Sequence, residues 1–273
     1  MTLRSLSVSE VLDDAADLVA RVFAPWVGVL WAATIPVRLL QVHFAGRLIE
    51  MAPEARAYGD HLHGIALATI AAFVLSVVGR ALYARACVWA LRSPGVPGRA
   101  ALRGSYAGLF SYLYAAFLIE TMFFATAISL FAIPVLVLLA GLAAATSTLT
   151  TRAGLLAPFR MIARHGGGGK VLLALVAIFA IALLLCMLNL HFAFQIGLWL
   201  LQGIPGLDLT AWQVRLALGN PGFWLVLAAG GCLLVEPYWL AALVVYVHKV
   251  QARHTGEDLR LWFDTLRAGE RAA

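Results

Sequence analysis

The chain has 273 residues, of which 62% are hydrophobic and only 12% are charged, and its mean hydropathy is +0.88. Soluble domains carry roughly a quarter charged residues, so this composition excludes an ordinary soluble protein. The apolar residues also come in runs of about 20 or more, the length of a helix that crosses a bilayer. The sequence therefore predicts an all-α protein, a polytopic transmembrane helical bundle embedded in a lipid bilayer.

The net charge of +6 does not indicate nucleic acid as a partner. Basic residues that flank membrane helices on the cytoplasmic side produce the same excess. The three cysteines, Cys87, Cys186 and Cys232, lie in apolar runs without CxxC spacing, which is typical of small buried side chains. No nucleic-acid partner, metal or cofactor is predicted.

The whole chain, residues 1–273, is predicted to be a single integral membrane domain. Residues 1–22 form a cytoplasmic interfacial helix, residues 24–250 a bundle of about six spans, and residues 254–267 a cytoplasmic amphipathic tail helix. An interfacial helix followed by two spans recurs near Ser7, Pro97 and Thr151, which indicates a threefold repeat in pattern.

The first helix is amphipathic. Its apolar face at helical spacing consists of Val8, Val11, Leu12, Ala15, Val19 and Val22. Its other face carries Glu10, Asp13, Asp14, Asp17 and Arg21. An acidic face of this kind favours a protein partner at the cytoplasmic surface over an anionic lipid surface.

The first two spans are predicted at about residues 24–44, with Arg38 inside, and about residues 64–91, with Arg80 inside. A mixed-charge loop over residues 45–63 separates them. Its His61 and His63 offer two nitrogen ligands at most, so a metal ion there is only a lesser alternative.

Residues 109–148 form one apolar stretch of about 40 residues, or roughly 60 Å of helix, twice the hydrocarbon thickness. This stretch predicts two spans folded as a hairpin near Pro134, with Glu120 in the first of them. A basic amphipathic helix over residues 151–164 follows.

The fifth span is predicted from Lys170 to about Leu200. Near its end, His191, Gln195 and Gln202 share one helical face. The favoured interpretation is hydrogen bonding between helices, and the alternative is a ligand or ion site.

The sixth span, at about residues 222–247, contains Glu236 and Pro237. Two loops between spans are rich in arginine and free of acid. The residues assigned to them are Arg85, Arg92, Arg99, Arg103, Arg152, Arg160, Arg164 and Lys170. The positive-inside rule then places both termini in the cytoplasm.

Charged residues inside spans usually face the bundle interior and pair with one another. Counted from the cytoplasmic helix ends, Arg38, Glu120 and Glu236 lie at roughly 20, 18 and 17 Å, which predicts a buried cluster of these three. Arg80 lies only about 9 Å in and is expected to snorkel. The cluster has two interpretations, an ion pair that fixes helix register, which is favoured, and a proton or cation relay.

The two ends of the chain carry short motifs. They are Leu12-Asp13, Phe23 and Pro36 at one end and Pro237, Arg253, Gly256, Asp258, Leu259 and Leu261 at the other. In these motifs the chain resembles bacterial six-span proteins related to the membrane domain of glycerophosphoryl diester phosphodiesterases. The resemblance implies an accessory or scaffold protein of the inner membrane, without the phosphodiesterase activity.

No HExxH or GxSxG motif is present, so no catalytic residues are predicted. The function expected from the sequence is a non-catalytic scaffold or accessory subunit of a membrane complex. The alternative is a small transporter or lipid-handling protein that uses Arg38, Glu120 and Glu236.

Overall fold

The computed structural model describes residues 7–22, 26–50, 59–92, 168–204 and 208–255. These residues form helices joined by short turns, with no strand among them. The helices are α1 (Val8–Val22), α2 (Gly28–Glu50), α3 (Gly59–Arg92), α4 (Gly168–Gln202), α5 (Thr210–Arg215) and α6 (Pro221–Thr255). The predicted all-α class is therefore confirmed for the described part of the chain.

Three of these helices are long and apolar enough to cross a membrane. The candidate spans are Ile70–Leu91 in α3, Gly169–Gln202 in α4 and Pro221–Arg253 in α6. Helix α2 contains a shorter apolar segment, Gly28–Leu40. The protein is thus membrane-embedded. The predicted hairpin near Pro134, Glu120, the basic helix over residues 151–164 and most of the tail helix lie outside the described residues.

The predicted loop over residues 45–63 is wrong in its extent. Helix α2 continues to Glu50 and α3 begins at Gly59, so both helices take residues from that loop, and His61 and His63 fall within α3. The charged residues of this segment were interpreted as loop because they are too polar for a span. A helix can nevertheless run beyond the hydrocarbon region with a polar end, since its backbone hydrogen bonds are internal.

Contacts between Cα atoms divide the chain into two units. The first unit consists of Met1–Trp26, Ala81–Ala177 and Tyr238–Ala273, and the second of Val27–Arg80 and Ile178–Pro237.

In the first unit, α1 buries one face. The fully or nearly fully buried residues of α1 are Val11, Ala15, Leu18 and Val22. Steps of four, three and four residues return to the same side of a helix, which explains the shared burial. The sequence prediction left Leu18 out of this face, and the structure adds it.

In the second unit, α2 and α3 approach each other very closely. A Cβ atom placed on Gly79 would overlap the Cβ of Ala33, so only glycine fits at this point of α3. Small residues allow the backbones of two helices to approach this closely. In a bilayer the hydrophobic effect does not drive helices together, because lipid chains are as apolar as the side chains, so such packing contacts hold the helices together instead.

Helix α4 differs from the other long helices in its exposure. Only 17% of its most apolar window is buried, against 56% in α3 and 50% in α6. Its exposed side chains include Leu173, Ile181, Leu184, Phe192 and Leu200. In a bilayer this surface suits contact with acyl chains, which have the same polarity.

Candidate functional site

The charge cluster of the second unit is centred on Glu236 of α6, which is 8% exposed. Arg80 of α3 donates a hydrogen bond from Nε to Glu236 Oε1. Arg38 of α2 places Nη2 3.7 Å from Glu236 Oε2, an ion-pair distance without a hydrogen bond. One carboxylate therefore draws together guanidinium groups from two other helices.

Arg80 does not snorkel, so the prediction that left it out of the cluster is wrong. The depth of about 9 Å was counted with Arg85 in the cytoplasmic loop, although the span itself was predicted to reach about residue 91. Helix α3 runs to Arg92, and Arg85 is only 8% exposed within it. Arg80 is then twelve residues, or about 18 Å, from the helix end, a depth close to that expected for Glu236.

Of the three residues predicted for the cluster, the structure brings Arg38 and Glu236 together. Glu120 lies outside the described residues. Arg80 is the member that sequence reasoning missed, although its position inside an apolar run marked it as a residue in need of a partner.

Pro237 follows Glu236 and leaves a gap in the hydrogen bonding of α6. A proline has no backbone N–H, so the carbonyl of the residue four positions earlier, Leu233, loses its helical donor. Trp31 of α2 fills the gap, since its indole Nε1 donates to Leu233 O at 2.8 Å. The proline and the glutamate thus both join α6 to α2.

We expect Trp31→Phe to lower the free energy of unfolding by about 1–3 kcal/mol, because the Leu233 carbonyl would lose its donor in a place that water does not reach. Adding Pro237→Ala should recover most of that loss, since the alanine N–H restores the helical bond to Leu233. Unfolding by SDS in mixed micelles measures both variants. If Pro237→Ala gives no recovery, the Leu233 carbonyl does not account for the effect of Trp31.

The three residues of the predicted polar face lie around one cavity of the second unit. His191, Gln195 and Gln202 of α4 line it together with Trp199, and Gln213 of α5 lines the opposite wall. The cavity has a volume of about 580 Å³. Within the described part of the chain, one of the three bonds to a neighbouring segment, as Gln195 Nε2 donates to Leu216 O at 3.0 Å.

The acceptor Leu216 is the residue that follows α5, so hydrogen bonding of this polar face between two helices stays a prediction. His191 packs its ring against Phe223 of α6 at a centroid distance of 5.7 Å. Its Nδ1 is buried and makes no hydrogen bond to the described part of the chain. Among the described residues, no group of three or more His, Cys, Asp or Glu side chains is placed to hold a metal ion.

In the first unit, two polar side chains of α6, Tyr238 and Lys249, attach α1 to that helix. Tyr238 donates its hydroxyl to Leu12 O at 2.7 Å. Lys249 places Nζ 2.7 Å from Asp14 Oδ2 and 3.9 Å from Glu10 Oε2, and it also donates to Glu10 O at 3.1 Å. Tyr238 and Lys249 are eleven residues apart, about three helical turns, so they lie on one face of α6.

The acidic face of α1 remains outward despite these contacts. Asp13 and Asp17 are exposed, as are Ala16 and Ala20 beside them. Arg21 donates to the backbone carbonyl of Asp17 at 3.3 Å rather than to its carboxylate. The first unit therefore presents a fixed helix with net negative charge on its open side.

These features define an all-helical integral membrane protein with an inter-helical charge cluster and an anchored acidic helix. Comparisons with protein-family models, with curated proteins and with solved structures found no match to this chain.

Proposed function

We propose that the chain is a non-catalytic scaffold or accessory subunit of a bacterial inner-membrane complex. In this proposal the chain has about six spans and both termini in the cytoplasm. The acidic face of α1 is the surface that receives the partner. The resemblance of the two chain ends to six-span accessory proteins favours the same function.

The observation that carries the proposal is the attachment of α1. An amphipathic helix that only lay on the membrane would turn basic residues towards anionic headgroups, whereas α1 presents Asp13 and Asp17. Its contacts with Tyr238 and Lys249 hold it in one orientation. A fixed helix with outward carboxylates suits a partner segment rich in lysine or arginine, because charge complementarity sets orientation and raises the rate of encounter.

The alternative function is a small transporter or lipid-handling protein that uses Arg38, Glu120 and Glu236. A relay needs a carboxylate that exchanges protons or ions during its cycle. Glu236 faces guanidinium groups on both oxygens, which favours a structural ion pair over a relay. We therefore assign the cluster to the assembly of the helices.

Photocrosslinking in membranes tests the proposal. A benzophenone amino acid at Ala16, beside the acidic face, should give one discrete protein adduct, and the double variant Asp13→Asn/Asp17→Asn should reduce it at least fivefold. Lys249→Gln should weaken the adduct as well, because α1 loses its anchor. The matched control carries the same crosslinker at Val214 of α5, which is 68% exposed, and should give no such adduct. An adduct at Ala16 that is insensitive to both changes, or that also forms at Val214, would contradict the proposal.

A further inference from the structure

The cavity at the C-terminal end of α4 has walls that are already in place. On the far side, Asn220 Nδ2 donates to Arg215 O at 2.9 Å, and Asn220 Oδ1 accepts from Gly222 N at 2.9 Å. Trp224 Nε1 donates to Leu218 O at 2.8 Å. These bonds fix the conformation of the segment between α5 and α6. A ligand would therefore bind to a wall that is already ordered, and little binding free energy would be spent on ordering it.

The start of α5 is held in the same way. The hydroxyl and the amide of Thr210 donate to Asp208 Oδ1 at 2.6 and 2.9 Å, and they hold the pKa of that carboxyl below its usual value. Asp208 is therefore ionised at neutral pH and keeps this turn closed. The carboxylate belongs to the turn and does not line the cavity.

Most of the polar groups that line the cavity are amides, which carry no charge. Three amides, those of Gln195, Gln202 and Gln213, supply both donors and acceptors, and no Lys, Arg, Asp or Glu is among the described lining residues. An anionic phosphate would find no cation here, and a metal ion would find one histidine and no carboxylate. Such a set of groups suits a ligand whose hydrogen-bonding groups are uncharged hydroxyls.

One of the lining groups has hydrogen-bonding capacity left that faces outward. Gln195 uses its amide N–H on Leu216 O, which leaves its carbonyl oxygen to accept from a hydroxyl. His191 Nδ1 also has no partner in the described structure, but almost none of its own surface is accessible, so a ligand in the cavity does not reach it.

Trp199 adds an aromatic surface to this polar wall. Its side chain is 70% exposed, unusually high for an indole inside a described helix. The face of an aromatic ring is electronegative and packs well against the polarised C–H groups of a sugar ring or a glycerol chain. The residue also lies near the end of the candidate span Gly169–Gln202, the level at which tryptophan and lipid headgroups meet.

We propose that this cavity binds a neutral, hydroxyl-rich group, such as a sugar, with Trp199 packed against its C–H face and the glutamine amides bonded to its hydroxyls. A volume of about 580 Å³ is in the range of small-ligand sites and holds one or two sugar rings. The group has two sources, the head of a glycolipid in the bilayer and a free sugar in the water. The inference does not depend on the scaffold function, which rests on α1.

Binding to the full chain in nanodiscs tests the site, with glucosyl-diacylglycerol in the lipid as one probe and free glucose in the buffer as the other. Native mass spectrometry counts the bound glycolipid, and saturation-transfer NMR detects the bound glucose. Saturable binding of the glycolipid alone assigns the lipid source, and saturable binding of glucose assigns the soluble one. Either result supports the proposal if the variants respond as expected.

Trp199→Ala should weaken binding at least tenfold, and Gln213→Leu several-fold. The matched control is Trp212→Ala, because Trp212 is 52% exposed on α5 and does not line the cavity. It should change binding less than twofold. Both tryptophans are exposed, so all variants should fold. Three results would overturn the proposal. Neither probe binds saturably, Trp199→Ala and Trp212→Ala have equal effects, or phosphatidylglycerol binds as tightly as the glycolipid.

Discussion

Glu236→Gln is expected to lower the free energy of unfolding by about 3–5 kcal/mol, the usual effect of removing one partner from a buried ion pair. The glutamine has nearly the same shape, so packing is kept. What changes is that the guanidinium groups of Arg38 and Arg80 lose the carboxylate between them. Unfolding by SDS in mixed micelles measures the loss, and circular dichroism checks that the helices are retained before unfolding.

A matched control for Glu236→Gln is Glu10→Gln. Glu10 also faces a cation, Lys249, but at 3.9 Å and with a side chain that is 39% exposed. Exposed pairs of this kind contribute about 0–1 kcal/mol. Equal effects of the two substitutions would show that the charge on Glu236 is unimportant to the fold.

Gly79→Val is the second substitution with a large expected effect. Its Cβ alone would overlap Ala33 of α2, and the branched methyl groups add to the overlap, so α2 and α3 must separate. Overpacking of this kind costs about 1–3 kcal/mol and occasionally more. Here it also displaces Arg80, the next residue, from Glu236, so we expect the upper part of that range in SDS unfolding.

A helical glycine with no close neighbour provides the control for Gly79→Val. Gly197 of α4 has no atom within 4 Å of a built Cβ. Gly197→Ala is therefore expected to be neutral or to stabilise by about 0.5–1 kcal/mol through helix propensity.

A compensating substitution gives a second check. Ala33→Gly should partly rescue a Gly79→Ala variant, because it removes the Cβ atom that the new alanine would overlap. If Gly79→Ala and Gly197→Ala behave alike, the close approach of α2 and α3 is not important for stability.

The sequence predicts the long helices α4 and α6 well because each follows an apolar run of the right length. Depth counting also placed Arg38 level with Glu236, since a helix converts residue number into distance with little error. The same method failed for Arg80. Arg85 was assigned to the cytoplasmic loop in that count, but it is buried inside α3, and hydropathy does not reveal the burial of an arginine.

For the hydrogen bond from Trp31 to Leu233, the sequence predicts the acceptor but not the donor. Pro237 shows from the sequence that the Leu233 carbonyl needs a donor, because the proline lacks an N–H. Which donor fills the gap depends on the packing of α2 against α6, and no periodicity records it. Gly79 is similar, since a glycine in a helix indicates close approach without naming Ala33 as the neighbour.

The sequence only weakly indicates that α1 is attached to α6. Tyr238 and Lys249 share a face of α6, and Lys249 has the charge that complements the acidic residues of α1. The cavity was indicated more clearly, as His191, Gln195 and Gln202 share one face of a span. Its far wall was not predicted, because Gln213 reaches it through a short helix and turns whose path depends on side-chain hydrogen bonds.

The central structural claim is that Glu236 and Arg80 hold α6 and α3 together through their charges. A double-mutant cycle with Arg80→Gln, Glu236→Gln and the double variant, measured by SDS unfolding, tests it most directly. The structure predicts that the double variant is more stable than the sum of the two single effects by at least about 1 kcal/mol, as expected of residues in contact. Effects that add to within about 0.3–0.5 kcal/mol would contradict the claim, because additivity is the behaviour of independent sites.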